Sequence, residues 1–358
     1  MEWRTVAYTV LIVSLCFLVI PIRVGPDTNT EDIKLFTSYV TRYNKSYRND
    51  PAEYEERFKR FKRSLRYIEK MNGLRPSQES AYYGLTAYSD MSEEEFLAQT
   101  LVPDLPVRGV KHVNASYHRQ HRSKQSIDRS KRSLQPINMP LKFDWREKGV
   151  VTPVREQGSC GACWAFSTVQ VAESMLAIKN GTLRTLSVQE MIDCARNGNF
   201  GCEGGDICSL LSWLLVSKVE IFQESSYPLT RQTSMCKLNK TLEKAPGIRI
   251  KDFTCDSFRD AEDDLLVTLA THGPVAAAVN ALSWQNYLGG VIQYHCDGSF
   301  DSLNHAVQIV GYDKSATIPH YIIKNSWGSR FGDKGYIYIG IGGNLCGIAN
   351  QVSSLDVL

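Results

Sequence analysis

Ten cysteines constrain this chain more than any other feature, and they stand at positions 16, 160, 163, 194, 202, 208, 236, 255, 296 and 346. Cys16 belongs to an apolar run, Val6 to Ile20, that follows Arg4 and is broken by Pro21 and Arg23. Fifteen residues are short for a bilayer span, which takes about 20, and the flanks are those of a secretory signal, with cleavage expected near Gly25. A membrane anchor is the other reading of that run. Export puts the remaining cysteines in an oxidising compartment, where thiols pair. Nine are left, an odd number, so at least one must stay free.

With 358 residues, 43% of them hydrophobic and 22% charged, the chain has apolar material for more than one core and no compositional case for wholesale disorder. Its net charge of +3 hides an asymmetry: residues 1–132 carry 22 Lys and Arg against 16 Asp and Glu, and the remainder 19 against 22. A basic leader joined to a mildly acidic body is the simplest account, and nothing resembles a nucleic-acid-binding stripe. Ile33, Phe36, Val40 and Tyr43, then Tyr54, Phe58, Phe61, Leu65 and Ile68, recur at helical spacing and predict two helices within 31–72, broken near Asn49-Asp50-Pro51. Residues 103–138 lose this period and read as a surface linker. They hold Arg129-Ser130-Lys131-Arg132, a basic processing site with cleavage expected after Arg132.

Beyond the linker, a helix is expected over Cys163–Lys179 with Asn180-Gly181 as its stop, a second from the capping box Ser187-x-x-Glu190, and a third over about 207–218. After about residue 245 the pattern turns to strands, at 274–279, 305–312, 320–327 and 335–341. The expected class is α+β, with a helical half (about 150–245) and a β-rich half (about 246–358) meeting at a cleft. Sequons at Asn44, Asn114, Asn180 and Asn239 agree with export.

The run Gln157-Gly158-Ser159-Cys160-Gly161-Ala162-Cys163-Trp164-Ala165-Phe166 holds two cysteines three apart. Zinc would want a second such pair, and a redox site would want a preceding thioredoxin-like strand; neither is present. Cys163 opens the predicted helix, where unpaired N–H groups and the dipole favour a thiolate. This run, with Asn304-His305-Ala306-Val307 and Asn325-Ser326-Trp327-Gly328, resembles the papain-like cysteine proteases, and the likeness extends from about residue 31 to the C-terminus.

The resemblance implies a papain-like fold and a cysteine endopeptidase made as a zymogen, working through a thiolate–imidazolium pair and a thioester, with no cofactor and no metal. It implies Cys163 as nucleophile, with a thiol pKa of about 3–4 by likeness to papain. His305 is implied as base and acid, Asn325 as its orienter, Trp327 as a shield over that bond, and Gln157 as an oxyanion donor. His272, His295 and His320 lack the matching context. Gly204 and Gly205 are implied to pair with extended substrate. Asp206, Ile207, Ala278, Leu303, Asn304, Ala306 and Gln351 would surround the S2 pocket, where aliphatic groups fit and Asp206 and Gln351 could admit polar ones. The resemblance further implies disulfides Cys160–Cys202, Cys194–Cys236 and Cys296–Cys346; Cys208 and Cys255 would form a fourth or remain two buried thiols.

In the leader, Glu53, Arg57, Phe61, Ile68 and Asn72 fit the family's inhibitory helix, with Ser64 replacing one Asn, and Gly84-x-Thr86-x-Tyr88-x-Asp90 resembles its second motif. Signal 1–25, inhibitory propeptide 26–132 and mature enzyme 133–358 are the expected parts. Implied partners are peptide and protein substrates, the chain's own propeptide and cystatin-type inhibitors, the mature enzyme being monomeric and lysosomal or extracellular. A catalytically silent binding protein is the rival from another class, and it would be expected to lack the nucleophile or base.

Overall fold

The computed structural model describes residues 28–102, 111–112, 139–238 and 246–358. The chain divides into two compact units, 1–62 and 63–358. In the first, helix α1 (Thr28–Arg42) and the start of α2 (Pro51–Gly73) are separated by a short 3-10 turn, Ser46–Asn49. Pro51 suits a first helical position because its missing N–H costs nothing there. Asp50 caps that end, accepting from Ala52 N and Glu53 N at 3.1 Å each. Phe36 lies at the centre of a ring cluster with Tyr39, Tyr47, Tyr54, Phe58 and Phe61.

The second unit is built on α3 (Glu93–Thr100), α4 (Cys163–Asn180), α5 (Val188–Cys194), α6 (Ile207–Ser217) and α7 (Glu262–Thr271). Its large sheet holds, in chain order, β1 (Lys111–His112), β2 (Lys142–Asp144), β3 (Asp256–Ser257), β4 (Val275–Val279), β5 (Val291–Ile292), β6 (His305–Asp313), β7 (His320–Lys324), β8 (Tyr336–Gly340) and β9 (Val352–Ser353). The spatial order is β5-β8-β7-β6-β4-β9-β3-β1, with β2 also paired to β6. Two buried cores result, one centred on the sheet and one on α4.

Every residue of helix α4 from Cys163 to Ala177 is buried. Ala165, Ala172, Ser167 and Ser174 are small enough for elements to approach on several sides. Strand β6 is tied to it by Gln308, whose Nε2 donates to Gln170 O at 3.1 Å and to Ser174 Oγ at 3.0 Å. Gly181 ends the helix in the left-handed conformation, φ 67°. Four disulfides join Cys160–Cys202, Cys194–Cys236, Cys208–Cys255 and Cys296–Cys346, so the two undecided cysteines are bridged.

The two halves interleave more than the sequence pattern suggests. Strand β2, upstream of the helical half, pairs with β6, and α7 lies within the β-rich half. Residues 325–327 leave β7 rather than continue it. The capping box is only half formed. Ser187 Oγ accepts from Glu190 N at 3.0 Å, but Ser187 N donates to Phe222 O, and the Glu190 carboxylate accepts from Phe222 N at 2.9 Å. Glu190 thus joins α5 to the strand Ile221–Phe222 at the cost of full burial.

That burial, with Glu220 nearby, pushes the Glu190 carboxyl up to about 8. A carboxyl raised in the native state favours folding below its unfolded pKa, about 4.3, and loses that contribution as pH climbs through 8. Glu190→Gln mimics the protonated form. In a Cys163→Ala background, which prevents self-digestion, thermal melting should match the parent at pH 4. At pH 7.5 the variant should be more stable by on the order of 2–4 kcal/mol. Equal melting at both pH values would rule this out.

Candidate active site

Cys163 is the free cysteine among the described residues and the first residue of α4. No side chain caps that helix end. The turn before it is pinned by the Cys160–Cys202 bridge and by Gly161 N donating to Cys202 O at 2.7 Å. A Cβ on Gly161 would stand 2.7 Å from that same carbonyl oxygen, so glycine is required.

His305 opens β6, which places the next residue, Ala306, against the Cys163 sulfur through a backbone hydrogen bond. His305 Nε2 lies 2.8 Å from Asn325 Oδ1, and Ser326 N donates to that same oxygen at 2.8 Å. An oxygen that accepts from Ser326 N–H accepts from the imidazole too, so the proton sits on Nε2. Nδ1 is left buried with no hydrogen-bond partner. Trp327 covers the imidazole, centroids 4.8 Å apart, and Trp284 meets it edge-on at 6.1 Å. The other histidines that follow Cys163 are elsewhere: His272 beside Leu355 O, His320 on Ile318 O, and His295 in a positive-φ turn.

Gln157 is held beside this pair by Ser326, whose N-side neighbour is Asn325. Gln157 N donates to Ser326 O at 2.8 Å, and Ser326 Oγ donates to Gln157 Oε1 at 2.5 Å. The amide nitrogen of Gln157 is already engaged, with Cys160 O at 2.9 Å and with the leader carbonyl Thr100 O at 3.0 Å.

The leader therefore crosses the site. Val102 N donates to Asn304 O at 2.7 Å, and the Val102 side chain joins the apolar cluster of Ile207, Ala278, Leu303 and Ala306. A Cβ on Gly204 would stand 2.6 Å from Val102 Cγ1, whereas one on Gly205 would strike Asn199 and Trp164. Gly204 thus faces the crossing chain and Gly205 serves internal packing. Upstream, Phe96 of α3 is fully buried and lies 5.5 Å from Trp327, with Tyr88 at 5.7 Å. Burying a side chain such as Phe96 contributes about 2–3 kcal/mol. Thr86 Oγ1 donates to Gln285 O at 2.6 Å and Ser89 Oγ to Asn286 Oδ1 at 2.6 Å, which fixes this stretch on the loop below.

Asp206 and Gln351 are bonded to each other, while Gln351 Oε1 is buried with no hydrogen-bond partner. Asp206 caps α6, accepting from Ser209 N at 2.7 Å, and its other oxygen accepts from Gln351 Nε2 at 2.6 Å. Both side chains are fully buried, and Gln351 also touches Cys208 Sγ at 3.2 Å.

With the leader in place, burial pushes the Cys163 thiol up to about 12, against the opposing N–H groups of Ala306, Trp164 and Cys163. It draws the His305 imidazolium down to about 4, against Asn325. Both shifts have burial as their largest cause, and both disfavour the charged forms while the site is covered. Trp284, Ser326, Thr100 and Val102 escaped sequence reasoning. They act through position across long loops, which no spacing reveals. No group of His, Cys, Asp or Glu able to hold a metal ion occurs among the described residues. Asn44 and Asn180 are exposed; Asn114, Asn239, Arg132 and the apolar run 6–20 lie outside the described residues.

Residues 139–355 match the model of the papain family cysteine proteases, and residues 36–96 that of the cathepsin propeptide inhibitor domain. Cathepsin O of Homo sapiens is 41% identical over 308 residues, 86% of this chain and 90% of that protein. Cysteine proteinase 15A of Pisum sativum is 36% identical, covering 89% of this chain and 85% of its own. Among solved structures, a recombinant stem bromelain precursor superimposes with a TM-score of 0.74 at 29% identity, over 91% of this chain and 99% of that one. Sequence, fold and site geometry agree: this chain belongs to the papain family and is a cysteine endopeptidase carrying its own inhibitor domain.

Proposed function

We propose that Cys163 is the nucleophile of this endopeptidase, with His305, Asn325 and Gln157 as its partners. The observation that carries the assignment is the His305–Asn325 bond. It holds the proton on Nε2 and leaves Nδ1 buried and unpartnered, one residue before Ala306, whose N–H meets the Cys163 sulfur. Once the leader is gone and water enters, the thiol proton passes to Nδ1. The resulting thiolate, stabilised by the helix end, attacks a peptide carbonyl. Negative charge gathers on the carbonyl oxygen, where Gln157 Nε2 and Cys163 N–H donate. His305 returns the proton to the leaving amine, giving a thioester. It then takes a proton from water, whose oxygen attacks the thioester, and the carboxylic acid and the thiol are released.

The leader is the inhibitor in cis. In a substrate, the S2 side chain lies one residue before the attacked carbonyl. Here Val102 occupies the expected S2 wall and lies two residues after the carbonyl on Gln157, so the chain runs the opposite way. Attack on Thr100 would leave its amine on the wrong side for departure. The Asp206–Gln351 pair closes the pocket floor, which favours aliphatic P2 groups. Processing after Arg132, glycans at Asn44, Asn114, Asn180 and Asn239, passage through the secretory pathway to lysosome or exterior, a monomeric mature form and inhibition by cystatins complete the reading. A relative from Carica candamarcensis, 36% identical over 61% of this chain with a TM-score of 0.55, was solved with the inhibitor E-64, which supports a reagent of that kind as an active-site titrant.

Cys163→Ala should fold with the parent's circular dichroism and hydrolyse no peptide. Gln157→Ala should lower kcat by about 100- to 1,000-fold with little change in KM. Parent-level turnover in the cysteine variant would refute the assignment. In the intact precursor, alkylation of Cys163 by iodoacetamide should rise about tenfold per pH unit from 7 to 10, following the thiolate fraction of a thiol at about 12. After leader removal the rate should already be high at pH 5. An acid plateau in the uncleaved chain would show that the leader leaves the pair exposed.

A further inference from the structure

Behind the site lies a charged cluster that the chemistry above does not use. Lys324, the last residue of β7, is only 1% exposed, and its Nζ donates to Thr152 Oγ1 at 2.9 Å. Thr152 Oγ1 in turn donates to Glu173 Oε2 at 2.5 Å. Glu173, fully buried on α4, also accepts from Arg155 Nη2 at 2.7 Å and from Leu186 N at 2.9 Å. Arg155 reaches onward to Glu224 Oε2 at 2.6 Å. A buried lysine is among the costliest side chains to place, and this one directly precedes Asn325.

The cluster touches each segment that carries a proposed catalytic group. Glu173 stands ten residues after Cys163 on one rigid helix. Thr152 and Arg155 belong to the stretch that delivers Gln157, and that stretch is bonded to the turn after β7 through Gln157 N to Ser326 O and Gly328 N to Arg155 O. Lys324 closes the circuit on the strand that ends at Asn325. We propose that the Lys324–Thr152–Glu173 relay is a positioning device: it sets the distance between the helix bearing Cys163 and the segments bearing Asn325 and Gln157. The charged groups facing Lys324 are Glu173 and Arg155; its cross-strand neighbours are Gln308 on β6 and Tyr336 on β8. Burial draws its ammonium down to about 7, with Glu173 opposing the fall and Arg155 adding to it.

Reacting groups displaced by about 1 Å lose on the order of 100-fold in rate, so a loosened relay acts on the chemical step before it acts on binding. The inference rests on the proposed roles of Cys163, His305, Asn325 and Gln157, and matured enzyme tests it. Thr152→Val keeps the shape and removes the hydroxyl; Thr152→Ser keeps the hydroxyl. With rates normalised to the thiol titrated by iodoacetamide, Thr152→Val should lower kcat about tenfold at unchanged KM and shift the pH profile of alkylation, and Thr152→Ser should restore both. Lys324→Met cuts the relay at its other end and should give the same defect. The Thr152→Val/Lys324→Met pair should be no worse than either alone. Should one variant fail to accumulate, the other gives the same reading. A lowered melting temperature with parental kcat per titrated thiol, or additive losses in the pair, would overturn the relay. A parent enzyme whose Cys163 does not react would instead overturn the nucleophile assignment beneath it.

Discussion

The packing of β6 against α4 is the contact on which the rest of this structure depends. It joins the strand that starts at His305 to the helix that starts at Cys163, so both reactive groups stand at the ends of rigid elements. Close approach requires a helix of small residues, and the side-chain bonds from Gln308 to Gln170 and Ser174 fix the register. Site residues carried on regular elements hold their geometry better than those on loops. Asn325 and Gln157 do sit on irregular chain, and there the tethers are supplied by Ser326.

Latency follows from the same dryness that gives the site its power. A Cys–His ion pair needs solvent or neighbouring charge to be preferred over the neutral pair. The leader removes water with Phe96, Leu101 and Val102 and adds no charge. In the proposed reading, blocking the cleft and silencing the nucleophile are one event, and the reversed direction of the crossing chain makes the plug a poor substrate.

What could be read from the sequence was local. Helix α4 and its glycine stop, the capping serine at 187 and the strands around His305 and Lys324 are periodic or carry their own turn chemistry, so short windows reveal them. The proposed catalytic set could be nominated from sequence because each member sits in a distinctive short run. What was misread or left open shares a cause, which is long-range partnership. Glu190 has the right spacing for a capping box but is captured by Phe222, 32 residues away. Asp206 and Gln351, 145 residues apart, find each other in a buried side-chain bond. Cys208 and Cys255 could not be paired by spacing because a bridge depends on Cα separation, here 6.0 Å, and not on sequence distance.

Gly204 and Gly205 separate two kinds of constraint that look identical in sequence. Gly204, at φ 117°, has no room on the cleft side because chain must pass there. Gly205 has no room on the inner side because Trp164 and Asn199 fill it. Asn199 also accepts from Asp206 N at 2.9 Å, so the backbone that meets substrate continues directly into the cap of α6 and its buried partner Gln351. The fourth disulfide touches the same glutamine through Cys208. The proposed pocket floor would therefore be one with the protein's structural core, and a change of specificity there would have to be accommodated by a helix cap and a cross-link as well as by the substrate.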